Sequence, residues 1–237
     1  MKIQPGYHRK QWEFCYILQV LAETDMLRRD RSGIGFGVGR EPLPAVMAAH
    51  GCTVLATDMP ESAAVEQGWA TTGQHANSLV SLNEQGICDP DLFRDRVRYR
   101  VVNMNDMPDD IGRFDFTWSS CALEHLGSID RGLQFIRNSL NCLRPGGIAV
   151  HTTEFNLSSN WATLGRGPTV IFRRKDIEKF VRTLSREGHR IELNLNPGGG
   201  AIDKHVDLPP YAQLHHLKLR LDKYVSTSIG LKVRKAA

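Results

Sequence analysis

Two groups of residues have the types and spacing to do chemistry: a run of glycines followed one segment later by an acid, and a scatter of histidines and carboxylates further on. The run is Gly33-Ile-Gly-Phe-Gly-Val-Gly39, and the acid is Asp58, which closes the β-rich segment beginning at Thr53. A glycine turn between a strand and a helix lets backbone approach a ligand without Cβ clashes and offers helix N-terminal amides to negative charge. The dinucleotide fingerprint G-x-G-x-x-G fails in three registers, because its third glycine falls on Val38, Arg40 or Pro42. The phosphate loop G-x-x-x-x-G-K-[ST] has no match in this run. What remains is Gly35-Phe-Gly37-Val-Gly39 with Asp58 about 20 residues on. A carboxylate there can accept both ribose hydroxyls of an adenosyl ligand, since neighbouring parallel strands end side by side at the switch point of an open sheet.

These residues need strands and helices in alternation to position them, and the pattern supplies both. Trp12, Tyr16, Ile17, Val20 and Leu21 fall at helical spacing and predict an amphipathic helix ending near Arg28. The glycine run is followed by a short helix with Pro42 in its first turn and Gly51 as its stop, then by the strand ending at Asp58. Residues 60–97 break the rhythm with small and polar residues, Trp69, Gln74 and His75, and read as an insertion able to lie over a ligand. Strands are predicted at Tyr99–Asn103, Phe114–Trp118, Ile148–Thr152 and near Ile191–Leu195. Helices are predicted over Asp130–Leu143, closed by Pro145-Gly146-Gly147, and over Asp176–Arg186, with a last strand between Lys218 and Val233. The expectation is an α/β fold: a Rossmann-like, doubly wound sheet of about seven strands with helices on both faces. Residues 1–237 read as one domain, with 1–30 a helical cap and 60–97 an insertion after strand two.

Further residues converge on the carboxyl edge of that sheet. Asn105-Asp106-Met107 follows the third strand, where a carboxylate can accept from an adenine amino group and an apolar chain can cover the ring. Ser119-Ser120-Cys121-Ala122-Leu123-Glu124-His125-Leu126 follows the fourth, and Leu143-Arg144-Pro145-Gly146-Gly147 precedes the fifth. In this order the chain resembles a class I S-adenosylmethionine-dependent methyltransferase, of the bacterial group with a Glu-His-Leu segment after strand four. The resemblance covers roughly residues 30 to 155. It implies S-adenosylmethionine as cofactor, held by Gly35, Phe36, Gly37, Gly39, Asp58, Met59, Asn105, Asp106, Met107, Ser119 and Ser120. The segment Arg40 to Leu43 further resembles methyltransferases of glycan and natural-product assembly. One departure is clear: the acid usual two positions before the first loop glycine, where it holds the methionine amino group, is Gly33 here, and Glu41 is a candidate substitute.

Methyl transfer from a sulfonium is an in-line displacement, so the protein aligns the reactants and removes a proton where the nucleophile carries one. His125 follows the strand-four segment and is the first candidate base; His151 and Glu154, leaving strand five, and His205 in a late loop are the others. His205, Asp207, His215 and His216 offer ligands that suit a divalent cation, but their spacing matches no compact metal signature, so no metal is expected. Arg173-Arg174-Lys175 reads as a solvated helix start. The expected activity is methylation of a small molecule, on a hydroxyl of a saccharide or a glycan or natural-product precursor. N- or C-methylation of another small molecule, or a non-catalytic nucleoside-binding module, are the alternatives.

Composition excludes other classes. Hydrophobic residues at 41% and charged residues at 24% are ordinary for a globular chain. A net charge of +4, with basic residues scattered, is too weak for a nucleic-acid footprint. Five cysteines without a C-x-x-C pair argue against a disulfide framework or structural zinc and fit a reducing cytoplasm. The N-terminus lacks an apolar signal core and no run is long enough for a membrane span.

Overall fold

The computed structural model describes residues 6–60, 65, 79–212 and 214–237. In chain order the elements are β1 (Tyr7–His8), α1 (Arg9–Glu23), β2 (Ser32–Phe36), α2 (Leu43–Ala49), β3 (Thr53–Asp58), α3 (Pro90–Arg96), β4 (Val97–Val101) and β5 (Phe114–Ser120). There follow α4 (Ile129–Asn141), β6 (Leu143–Asn156), α5 (Arg174–Arg186), β7 (Arg190–Asn194), β8 (His215–His216), β9 (Lys218–Leu221) and β10 (Tyr224–Arg234). The main sheet runs β4-β3-β2-β5-β6-β10-β7, with β9 on β10. Strands β2 to β6 are mutually parallel, whereas β10 is antiparallel to β6, β7 and β9. The winding reverses between β2 and β5, which places a ligand crevice at their carboxyl ends. This is the doubly wound α/β sheet that the sequence predicts.

Apolar side chains on alternate strand positions feed two cores, one on each face. Ile17 and Leu21 of α1, Met47 of α2 and Phe93 of α3 pack with Phe116 and Trp118 on one face. Phe135, Ile136 and Leu140 of α4 and Ile177 and Leu184 of α5 pack with Ile34 and Phe36 on the other. Strand β2 is short of β-branched residues because its first face is filled by its neighbour. A Cβ at Gly33 would lie 2.1 Å from the Phe116 ring, and one at Gly35 would lie 2.3 Å from the Trp118 ring. The two aromatics on β5 therefore occupy the volume that side chains at 33 and 35 would need.

Several sequence expectations are corrected. Helix α1 stops at Glu23 rather than near Arg28, where the Thr24 hydroxyl donates to the Val20 carbonyl at 2.7 Å and Asp25 turns to φ 61°. Helix α4 ends at Asn141, and Pro145-Gly146-Gly147 lies inside β6; a Cβ at Gly147 would sit 2.8 Å from the Asp115 carbonyl oxygen. Within 60–97, residues Pro90–Arg96 form α3, the crossover helix between β3 and β4 rather than a cover. Its N-terminus is capped by Asp89, which accepts from the Asp91 and Leu92 amides at 3.0 Å each. Trp69, Gln74 and His75 lie outside the described residues. The tail forms the hairpin β9–β10, with β10 inserted between β6 and β7.

One pairing has no counterpart in the sequence pattern. Tyr7 and His8 pair in parallel with His215 and His216 in a separate two-stranded sheet. This joins the start of the chain to the late loop beside the crevice. Among the described residues no helix is long and apolar enough to cross a membrane.

Candidate active site

A cleft of about 850 Å³ opens at the carboxyl edge of the sheet. One wall is built by the turn after β2 and the ends of β3 and β4, and includes Gly37, Gly39, Asp58, Met59, Asn103 and Asn105. Asp58 is 5% exposed; its Oδ2 accepts from the Gly39 amide at 2.9 Å and its Oδ1 from the Met59 amide at 2.8 Å. The carboxylate thereby fixes the glycine turn from below. Gly37 has φ +59°, and a Cβ there would lie 2.8 Å from the Ala122 Cβ across the cleft, so the turn is narrow enough that a side chain would obstruct it.

Glu41 lines the same wall, and its Oε1 accepts from the Trp118 indole N–H at 2.6 Å. Burial pushes its carboxyl up to about 8, against the opposite pull of the Trp118 hydrogen bond. The acid missing at position 33 could not be accommodated beside the Phe116 ring, and Glu41 supplies a carboxyl from the far end of the turn.

The other wall is made by elements remote in sequence: His8, Arg9 and Lys10 at the start of α1, Ser120, Cys121 and His125 after β5, and Tyr211, His216 and Leu219 from the late segment. Beneath it lies a buried polar network around three carboxylates, Glu13, Glu124 and Glu154, none more than 2% exposed. Glu13 pairs with Lys10 at 3.0 Å and accepts from Ser120 Oγ at 3.0 Å and Ser228 Oγ at 2.6 Å. Glu154 pairs with Arg9 and accepts from Ser226 Oγ, while Glu124 accepts from Thr153 Oγ1 at 3.0 Å. Burial works against the Glu13 carboxylate, yet Lys10 and Arg9 hold it below the usual carboxylate range. Burial likewise opposes the Lys10 ammonium, and Glu13 holds it above its ordinary value. Burial drives the Cys121 thiol well up, so it remains protonated.

Among the described residues, the group of metal-ligand types that comes together is Cys121, Glu124 and Glu154, within 4.8 Å. Its carboxylates are already engaged by Arg9 and by hydroxyls. His205, Asp207, His215 and His216 do not gather as one ligand set. His205 is exposed and meets the His215 ring edge-on, while His216 bonds Asp207.

Of the residues singled out in the sequence, the fold brings Gly37, Gly39, Asp58, Met59, Asn105, Ser120 and His125 to the cleft. His125 is half-buried, and its Nδ1 lies 2.9 Å from the Pro168 carbonyl oxygen, which sets the proton on Nδ1 and the lone pair on Nε2. Others sit elsewhere, for local reasons. Gly35 is covered by Trp118, and Phe36 points into the opposite core against Phe135. Ser119 and Ser120 point to opposite faces of β5, so Ser119 Oγ meets His151 Nδ1 at 2.8 Å while Ser120 reaches the cleft. A tight turn, with the Asp106 amide donating to the Asn103 carbonyl at 3.0 Å, leaves Asp106 exposed and brings Asn103 to the wall instead. Met107 packs against the core.

His151 is corrected as a base. It is 1% exposed, its two ring nitrogens are held by Ser119 and Ser139 Oγ, and burial depresses it to about 3. Glu154 reaches the cleft only through its partner Arg9, and His205 does not line it. Sequence reasoning missed His8, Arg9, Lys10, Glu13 and Tyr211, because no local motif marks them.

A parallel sheet with a carboxylate-floored glycine turn at its switch point defines an α/β enzyme that binds a nucleoside-bearing cofactor. The family described as "Methyltransferase domain" matches residues 33–151, and the chain belongs to that family. It is a class I methyltransferase whose cofactor is S-adenosylmethionine. No curated protein sequence matches it significantly. Among solved structures, magnesium protoporphyrin IX methyltransferase from Synechocystis PCC 6803 with bound S-adenosylhomocysteine is 12% identical, with TM-score 0.56 over 96% of this chain and 83% of the other. An S-adenosylmethionine-dependent methyltransferase from Mesorhizobium loti is 16% identical, with TM-score 0.55 over 92% of this chain and 96% of the other. At these identities the likeness is one of fold.

Proposed function

We propose that the chain transfers the methyl group to a hydroxyl of a small polar acceptor such as a saccharide. The observation that carries this reading is the wall facing the glycine turn, where three imidazoles, His8, His125 and His216, line one cleft. Imidazoles accept protons near neutral pH, and a hydroxyl nucleophile needs its proton removed. A volume of about 850 Å³ lies in the upper part of the roughly 300–1,000 Å³ range of small-molecule sites, which leaves space for an acceptor beside the cofactor.

In this reading the cofactor supplies an electrophilic methyl on sulfur, and the chain's work is alignment. Asp58 accepts from the ribose hydroxyls, the backbone at Gly37 and Gly39 lies along the ribose and methionine, and Met59 and Asn105 border the adenosine. Glu41, whose carboxyl burial raises to about 8, takes the α-ammonium and ionises beside it. Ser120 and Lys10 bound the acceptor side.

The test is methyl-labelled S-adenosylmethionine offered with a panel of glycosides, phenols, amines and thiols, with products identified by mass spectrometry. The expected product is a methyl ether. Label only on nitrogen, carbon or sulfur overturns the hydroxyl reading.

A further inference from the structure

The start of the chain and the late loop meet at the cleft in an arrangement that neither contains alone. His216, 6% exposed, places Nδ1 2.6 Å from Oδ2 of Asp207, itself 4% exposed. Asp207 is fixed in turn: its Oδ1 accepts from the Ala212 amide at 3.0 Å, and its backbone bonds to Lys218 and Arg220 at 2.8 and 3.0 Å. The His216 ring stacks on that of His8 with centroids 4.9 Å apart, and the Tyr211 ring meets it edge-on at 5.3 Å. His8, Tyr211 and His216 all line the cleft.

The three imidazoles of the cleft differ in what supports a positive charge. His125 leans on a neutral carbonyl at Pro168 and on the Thr169 hydroxyl. His8 accepts from the Lys10 amide at Nδ1, and burial, the neighbouring His216 ring and the Arg9 guanidinium all disfavour its protonation. His216 has a carboxylate on Nδ1. That hydrogen bond sets the proton on Nδ1, leaves the lone pair on Nε2, and supplies the counter-charge that an imidazolium needs in a desolvated wall.

We propose that His216, oriented and charge-compensated by Asp207, is the general base that takes the acceptor's proton. This rests on the hydroxyl reading above. In the step, the acceptor oxygen bonds to the methyl carbon as the carbon–sulfur bond breaks and its electron pair stays on sulfur. The hydroxyl proton passes to Nε2 of His216, and the imidazolium so formed is balanced by the Asp207 carboxylate. The products are a methyl ether and S-adenosylhomocysteine, and the proton then leaves to solvent. His8 holds the ring plane by stacking and is a positioning residue.

The test compares wild type with His216→Ala and Asp207→Asn on any hydroxyl acceptor found in the panel, with melting temperature and calorimetry of S-adenosylhomocysteine as controls for folding and cofactor binding. A lost general base slows turnover by about 10²–10⁴-fold. His216→Ala is therefore expected to lose at least about a hundredfold in kcat with cofactor affinity within about twofold, and to regain rate with added imidazole. Asp207→Asn is expected to lose rate and displace the acidic limb of the pH–rate profile. Wild-type turnover of a hydroxyl acceptor by His216→Ala, or loss of rate without rescue by imidazole, overturns the dyad and leaves the hydroxyl reading standing. Methylation of amines or thiols alone overturns both. Where no panel member is methylated, 5′-aziridinyl adenosine, which alkylates a nucleophile held at the methyl position, decides by peptide mapping: label on His216, lost in His216→Ala, supports the assignment, and label on His125 or another residue overturns it.

Discussion

Replacing Asp58 with Ala tests the cofactor wall most directly. The carboxylate is 5% exposed and tied by hydrogen bonds of 2.9 and 2.8 Å to the Gly39 and Met59 amides, so little water is at hand to replace it. A hydrogen bond to a charged group contributes about 1.5–3 kcal/mol, so losing even one ribose contact weakens cofactor binding by about tenfold or more. Because the same substitution also releases the glycine turn, affinity alone does not separate contact from support. A cycle does: S-adenosylhomocysteine and its analogue lacking both ribose hydroxyls are titrated into wild type and Asp58→Ala by calorimetry. Wild type is expected to prefer the hydroxylated ligand by at least about tenfold, and the variant by less than about twofold. The same preference in both proteins would falsify the assignment of Asp58 to the ribose, whatever the change in overall affinity.

Four further outcomes follow from the same geometry. Binding of S-adenosylmethionine at pH 7, measured in buffers of different ionisation enthalpy, should release a proton from Glu41, and Glu41→Gln should abolish that release. Because the folded carboxyl of Glu41 is raised to about 8 from 4.5, wild type should lose stability relative to Glu41→Gln as pH rises across that interval; equal melting curves at pH 5 and 8 would refute it. Glu13→Ala leaves Lys10 with the Ser120 carbonyl and strips the hydroxyls of Ser120 and Ser228 of their carboxylate acceptor, and should cost about 1–3 kcal/mol in denaturant unfolding. Since the folded carboxyl of Glu13 is depressed, its contribution is present above the unfolded value of 4.5 and fades as pH falls below it, and a variant as stable as wild type at pH 7 contradicts the network. His151→Ala leaves the Ser119 hydroxyl without its imidazole partner, while Ser139 keeps its bond to the Ile136 carbonyl, for about 1–3 kcal/mol, several degrees in melting temperature, with affinity for S-adenosylhomocysteine unchanged. A fall in that affinity would return His151 to the cleft.

The sheet and its cofactor edge were legible in the chain because local chemistry and topology agree there. A glycine turn, a β-rich segment ending in Asp58, and strand-helix alternation each leave a mark within a few residues, and a parallel sheet carries those marks to one edge. The period of a strand then decides faces that a motif cannot. Ser119 and Ser120 are neighbours in sequence and opposite in space, as are Phe36 and Gly37 at the turn. His151 has a basic side chain at the right edge of the right strand, yet the ring lies under α4, and only packing against Ser139 and Phe135 reveals it.

What the sequence alone made legible is the α/β fold class and, through the resemblance to class I methyltransferases, the cofactor, since the glycine turn and the strand-helix alternation that carry both are short-range features. What tertiary structure decided is the cleft wall that faces the glycine turn. It joins His8, Arg9 and Lys10 to Cys121, Glu154, Asp207 and His216 across as many as 208 positions of chain, as the register His8↔His216 shows. Asp207 and His216 are brought together by the path of a loop, and buried Glu154 of β6 is met by the Arg9 cation of α1. Neither condition leaves a periodic trace, because long-range pairing is set by which surfaces bury each other and not by which residues are adjacent.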